Sequence, residues 1–126
     1  MTTVLQSPQG HFARIEAVKR YIRDHIDESL ERDVLAGVAG FSVSHLQRVF
    51  AVCTGESIAA HVRRVRMERA GRKLRMGAVD ITEVALAAGY DSHAAFGKAF
   101  KRRFGLSPSE FRRLGCTAAT QLLTKG

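Results

Sequence analysis

A chain of 126 residues has room for one compact unit or two very small ones, and it excludes a large α/β enzyme or a barrel. Its 20 Lys and Arg against 12 Asp and Glu give a formal net charge of +8, a surplus that points to a polyanionic partner, nucleic acid or an acidic membrane surface. An apolar fraction of 45% and a charged fraction of 25% are those of a globular protein and argue against disorder. The apolar runs fall far short of the ~18 residues needed to span a bilayer. The N-terminus, Met-Thr-Thr-Val-Leu-Gln-Ser-Pro, lacks the basic and apolar segments of a secretory signal. Cys53 and Cys116 have no Cys or His at metal spacing. They read as a small buried thiol and a tail thiol in a reducing compartment.

Taken in order, almost every element reads as helix. Phe12, Ile15, Val18, Ile22 and Ile26 recur at spacings of three and four, a first amphipathic helix of about four turns. A short second helix spans about Glu31 to Val38 and breaks at Gly40-Phe41. Ser42 caps a third helix through Cys53, and Gly55 ends it. Ser57 caps a long fourth helix that stops near Met76-Gly77. Asp80-Ile-Thr-Glu83 resembles a capping box and opens a fifth helix to Ala88. Gly89-Tyr90 breaks it, and a sixth helix follows from about Ser92 to Phe104. After Gly105, Ser107-Pro108-Ser109-Glu110 combines an N-cap, a proline at the first helical position and Glu at the third, opening a seventh helix that ends at Gly115.

The fourth helix carries two apolar stripes. Ile58, Val62 and Val65 share one side, while Met67, Ala70 and Leu74 lie nearly opposite at about 100° per residue. A helix that buries one face early and the other late is a bridge between two cores. An internal repeat supports the division. Ala36, Gly40-Phe41, Leu46, Phe50 and Gly55 recur as Ala85, Gly89-Tyr90, Phe96, Phe100 and Gly105, with one extra residue after Tyr90. Beyond them Ser57 pairs with Ser107 and Arg63 with Arg113. Each unit, a short helix, a tight turn containing glycine and a longer helix, has the layout of a helix-turn-helix. The expected fold is all-α: seven helices, two helix-turn-helix subdomains (11–56 and 78–115) joined by a linker helix (57–77), with loose termini at 1–10 and 116–126.

In each unit the longer helix divides into faces. Leu46, Val49, Phe50 and Cys53 form an inward stripe, and Ser44, Gln47, Arg48 and Ala51 another face. In the second unit Phe96, Ala99, Phe100 and Arg103-Phe104 face inward, while Ala94, Gly97, Lys98 and Lys101 face out, with His93 just before them. A helix that reads DNA presents such a small or polar face near its N-terminus, the end that enters the major groove. Gln47 can bond adenine bidentately and Arg48 guanine. A solvated face is the usual fate of such residues, but matched offsets in a repeat within a basic chain favour recognition. His45 fits a phosphate contact or a half-buried packing role.

The cations follow the same division. Arg48, Arg63, Arg64, Arg66, Arg69, Arg72, Lys73 and Arg75 are opposed by Glu56 and Glu68. Lys98, Lys101, Arg102, Arg103, Arg112 and Arg113 are opposed only by Glu110. Acids gather at Asp24, Asp27, Glu28, Glu31 and Asp33. The helix N-termini at Ser57 and Ser107 add amides suited to phosphates. Arg66 is open between an internal ion pair and a DNA contact.

The stretch Ile81-Thr-Glu-Val-Ala-Leu-Ala-Ala-Gly-Tyr-Asp-Ser-His-Ala-Ala-Phe-Gly-Lys-Ala-Phe-Lys-Arg-Arg-Phe-Gly-Leu-Ser-Pro-Ser-Glu-Phe-Arg closely resembles the signature of AraC/XylS-type bacterial transcription regulators. Phe41-Ser-Val-Ser-His-Leu-Gln-Arg-Val-Phe resembles that family's other helix-turn-helix, and the match runs from about Phe12 to Leu114. The resemblance implies two recognition helices entering successive major-groove segments of double-stranded DNA. Full-length members usually carry a sensor and dimerisation domain for which this length leaves no room. The chain therefore looks most like the short stand-alone activators of the multidrug-resistance and superoxide-response type, monomers in the bacterial cytoplasm and nucleoid that act with RNA polymerase. Carried over by position, the base-reading candidates are Ser44, Gln47 and Arg48, then His93, Ala94, Gly97 and Lys98. The phosphate candidates are Ser57, Arg63, Arg64, Lys101, Arg102, Ser107, Arg112 and Arg113.

Relatives often place larger polar residues where Ala94 and Gly97 stand, so the first unit is expected to set most of the specificity and the second to supply phosphate contact and close approach. The alternatives are the DNA-binding half of a longer ligand-responsive regulator, or a polymerase-binding cofactor with weak DNA affinity. His11, His25, His45, His61 and His93 form no metal spacing, and no nucleophile–base or paired-carboxylate arrangement is visible. Neither an enzyme nor a cofactor or metal site is expected. A membrane-surface role is disfavoured by the two apolar faces of the bridge helix.

Overall fold

The structure, a computed structural model, describes residues 8–76 and 80–114. Among them are seven helices and no strand: α1 (Pro8–Asp24), α2 (Arg32–Ala39), α3 (Val43–Thr54), α4 (Ile58–Arg75), α5 (Ile81–Ala87), α6 (His93–Phe104) and α7 (Pro108–Arg113). No single helix is long and apolar enough to cross a membrane. The chain divides into two compact units, Met1–Val62 and Arg63–Gly126, and the division falls inside α4.

In the first unit α1 packs on α2 and α3. Ile15, Val18, Ile22 and Ile26 from the first amphipathic stretch meet Leu35, Ala36, Ala39, Leu46, Val49 and Phe50 in its core. Two expectations change here. The helix begins at Pro8, inside the stretch expected to be loose, and Phe12 is 54% exposed instead of heading the buried stripe. The remaining parts expected to be loose, 1–7 and 116–126, lie outside the described residues, as does the expected stop at Gly77.

The caps fall where local chemistry puts them. Ser42 accepts from the His45 amide and Ser92 from the Ala95 amide, so α3 and α6 start with the same device. Gly55 and Gly105 close them at φ 81° and 83°, a left-handed conformation that costs glycine little. In the tight turns the Phe41 amide donates to Ala36 O at 3.0 Å and the Tyr90 amide to Ala85 O at 3.0 Å. The sequence repeat is therefore a repeat of hydrogen bonds as well. Asp80 caps α5 by accepting from the Thr82 amide at 2.9 Å, one position earlier than a capping box would use. The capping box proper belongs to α7, where Ser107 Oγ and the Glu110 amide, and Glu110 Oε1 and the Ser107 amide, are paired at 3.2 and 2.9 Å.

The second unit has an aromatic core. Phe96, Phe100, Phe104 and Phe111 are buried with Met67, Ala70, Leu74, Ile81, Val84, Ala85 and Ala88, and Tyr90 packs against them. Phe100 is the hub, with ring centroids 4.6 Å from Phe104, 5.1 Å from Phe111 and 5.6 Å from Phe96. Such edge and tilted pairs each add roughly 0.5–1.5 kcal/mol beyond area burial. The late stripe of α4 is buried as expected. The early stripe is not as expected: Ile58, Val62 and Val65 are only half-buried, and the buried residue among them is His61. Its ring stands 5.3 Å from Phe50, and its Nδ1 lies 2.9 Å from Glu56 Oε2. A histidine sharing the i, i+3, i+4 stripe carries an apolar body and a polar tip, and here the carboxylate meets the tip.

Candidate nucleic-acid interface

In the first unit, burying Leu46, Val49 and Phe50 turns the opposite side of α3 to solvent. Ser44, Gln47, Arg48 and Ala51 are all exposed there. Cys53, expected to be buried, is a half-buried free thiol. Ser42 spends its hydroxyl on the His45 amide, which fixes the end of α3 from which Ser44 and Gln47 project. His45 proves to be a half-buried packing residue, its ring 4.4 Å from Phe41 and 5.8 Å from His11.

The tight turn before α3 is held by a residue that sequence reasoning missed. Arg14 donates to Ala39 O, and its guanidinium lies over the Phe41 ring at 5.2 Å. Gly40 has φ 72°, a left-handed conformation that favours glycine, and a Cβ there would only push aside the mobile end of the Arg14 side chain. In sequence Arg14 is one more cation on a helix, and only the fold brings it across 25 residues.

In the second unit, burial of Phe96, Phe100 and Phe104 leaves His93, Ala94, Lys98 and Lys101 exposed, with Gly97 half-buried among them. A Cβ added at Gly97 would find nothing within 4 Å. This glycine is therefore demanded neither by packing nor by a positive φ. Ala99 packs against the core, and Arg103 is drawn inward, 3.3 Å from Glu68 Oε2 and 4.9 Å over the Phe104 ring.

The phosphate candidates divide. Arg63, Lys101, Arg102 and Arg113 are exposed, while Arg112 is half-buried and otherwise engaged. Arg64 Nη1 lies 3.2 Å from the same Glu68 oxygen that Arg103 approaches, so that carboxylate partly offsets its charge. Ser57 caps α4 by accepting from the Ala60 amide at 3.1 Å. Ser107 differs. Its own amide is already given to the Glu110 carboxylate, the Glu110 amide to its hydroxyl, and Pro108 has no N–H. Those bonds, with Lys101 and Arg113 nearby, hold the Glu110 carboxyl below the ordinary glutamate range, and an ionised carboxylate repels phosphate. The start of α7 is thus a poorer anion site than the sequence suggested. Arg66 is half-buried and lines a small cleft with Arg69, Lys73, Val84, Ala87 and Ala88 beside Gly89, a setting that favours the internal alternative over the DNA contact. No group of His, Cys, Asp and Glu able to hold a metal ion occurs among the described residues.

Comparison with known proteins bears on the whole arrangement. Residues 35–114 match the model of a helix-turn-helix domain. The regulatory protein SoxS of Salmonella typhimurium is 33% identical over 103 residues, 82% of this chain and 96% of that protein. A probable AraC family transcriptional regulator from Rhodopseudomonas palustris has a solved structure that superposes with a TM-score of 0.72 at 26% identity, over 80% of this chain and 95% of that one. The chain belongs to the AraC family of helix-turn-helix proteins. The right origin-binding protein of Escherichia coli is 38% identical over 93 residues, 74% of this chain but only 32% of that protein. The chain thus spans about a third of the length of such relatives.

Proposed function

We propose that this AraC-family chain is a sequence-specific, double-stranded DNA-binding transcription regulator that activates its targets. One observation carries the reading: two helix-turn-helix units of the same hydrogen-bonded design each present an outer helix face, Ser44–Gln47–Arg48 and His93–Ala94–Gly97–Lys98, that the core does not use. In this reading α4 links two subdomains, and α3 and α6 enter successive major-groove segments of an asymmetric site, since two unlike units in one chain need no palindrome. Ser44, Gln47 and Arg48 set most of the specificity. Arg63, Lys101, Arg102 and Arg113, with the helix start at Ser57, hold the backbone. The work is binding rather than catalysis, done by a monomer in the bacterial cytoplasm at the nucleoid, with RNA polymerase as its protein partner.

Selecting bound duplexes from a random pool at a stated salt concentration tests this. A defined, asymmetric motif with most of its information in one half is expected. Equal information in both halves would refute the unequal units, and no enrichment would refute sequence-specific binding. Replacing Gln47 by Ala should cost about 1–3 kcal/mol at one base position, and an equal loss on specific and random duplexes would refute its readout role. A second reading, the DNA-binding part of a longer ligand-responsive regulator, is favoured by the greater length of relatives such as the right origin-binding protein.

A further inference from the structure

Next to the outer face of α3 lies a groove that DNA reading by that face leaves unexplained. His11 from α1 and His45, Arg48, Val49, Val52 and Cys53 from α3 line a volume of about 340 Å³, at the lower end of the range of small-molecule sites. Its chemistry is one-sided. Three of the six side chains offer nitrogen, one guanidinium and two imidazoles, and the other three are apolar. Among the described residues the lining has no carboxylate. The imidazoles are held in place: His11 stands edge-on to Phe41 at 5.5 Å and to His45 at 5.8 Å. The Arg14 guanidinium, outside the lining itself, lies over the same Phe41 ring and adds positive charge behind the cluster. His11 Nε2 is buried without a hydrogen-bond partner, a costly state for a ring nitrogen. Val52 is 85% exposed, the most exposed large apolar side chain among the described residues.

We propose that this groove binds a small organic anion with a flat apolar body, of the aromatic carboxylate class. Arg48 takes the carboxylate beside the two imidazoles, and Val49, Val52 and Cys53 take the rings. The volume suits one or two fused rings. A carboxylate needs a charged, planar donor and an apolar body needs water-free contact, and neighbouring residues of α3 supply both. Arg48 also stands on the face assigned to base reading, so the anion and DNA draw on the same guanidinium. Binding of one therefore weakens binding of the other by the same factor. That coupling rests on the DNA-binding reading, whereas the site itself does not.

The test is titration of 2-naphthoate into the full chain carrying Cys116→Ser, read by calorimetry and by protection of Cys53 from alkylation. Saturable one-to-one binding with matching protection is expected. Val52→Asp, which sets a carboxylate in the groove at an exposed position, should weaken binding about tenfold or more without changing the thermal melt. Arg48→Ala should weaken it similarly, and 2-naphthalenemethanol, the neutral analogue, should bind about tenfold less tightly. Absence of saturation by about 10 mM, equal affinity in Val52→Asp, or equal affinity for the neutral analogue would each overturn the site. A random duplex at fixed salt then tests the coupling. If the duplex binds equally with and without saturating naphthoate, the coupling is wrong. If naphthoate binds but no duplex does at any salt, the regulator reading fails and the anion site stands.

Discussion

Replacing Gly97 by Ala separates what the fold needs from what the partner needs. Gly97 sits inside α6, its φ is not positive, and a new Cβ meets nothing within 4 Å. No clash or strain offsets the helix-propensity gain, so the substitution should stabilise the chain by about 1 kcal/mol. For a chain of 126 residues that gain raises the melting midpoint by roughly 4 °C. If glycine stands here because the helix backbone approaches DNA closely, the same methyl group should weaken duplex binding, by about tenfold for a loss of about 1.4 kcal/mol. Gly37 on α2 is the control, because a Cβ there also meets nothing within 4 Å. Gly37→Ala should stabilise the chain to a similar degree without changing duplex affinity. Thermal melts and fluorescence anisotropy at one salt concentration read both effects. A lower melting midpoint for Gly97→Ala would refute the structural argument, and unchanged affinity would refute close approach.

Three further outcomes follow from particular contacts. Truncating Phe100 to Ala removes the hub of the second unit's ring cluster and should cost about 3–5 kcal/mol by chemical denaturation; a loss under about 1 kcal/mol would show the cluster to be loosely packed. Replacing the exposed Lys101 by Ala should weaken binding to all duplexes alike and reduce the salt slope by about 1, and a loss confined to one sequence would contradict a phosphate role. The carboxyl of Glu110 titrates below its ordinary range because it accepts from the Ser107 amide. Its contribution to stability is present above the ordinary glutamate pKa of about 4.3 and is lost as the pH falls toward the lower folded value. The stability difference between the parent and Glu110→Gln should therefore shrink on acidification, and a difference that does not change with pH would show that the carboxylate does not hold the cap.

Sequence alone determined the helices, their caps and the repeat, because these depend on residues within a few positions of one another. Ser42 and Ser92, Gly55 and Gly105, and the capping box at Ser107 are local devices, and the three- and four-residue spacing of Leu46 and Phe50 or Phe96 and Phe100 fixes which side of each helix is buried. The outer faces of α3 and α6 were legible as what that burial leaves over. Tertiary structure alone decided the fate of individual side chains whose partners lie far along the chain. Arg14 reaches the Ala39 carbonyl, and Arg103 comes across 35 residues to the Glu68 carboxylate that Arg64 already meets one turn away on α4; His61 takes the buried place between half-buried neighbours, and Phe12 stays in solvent. Periodicity gives the direction in which a side chain points but not what it meets. A long cation in particular reads the same in sequence whether it ends on a carboxylate, over an aromatic ring or in water. The +8 charge named the class of partner, and only the packing separated the arginines held inside from those left facing out.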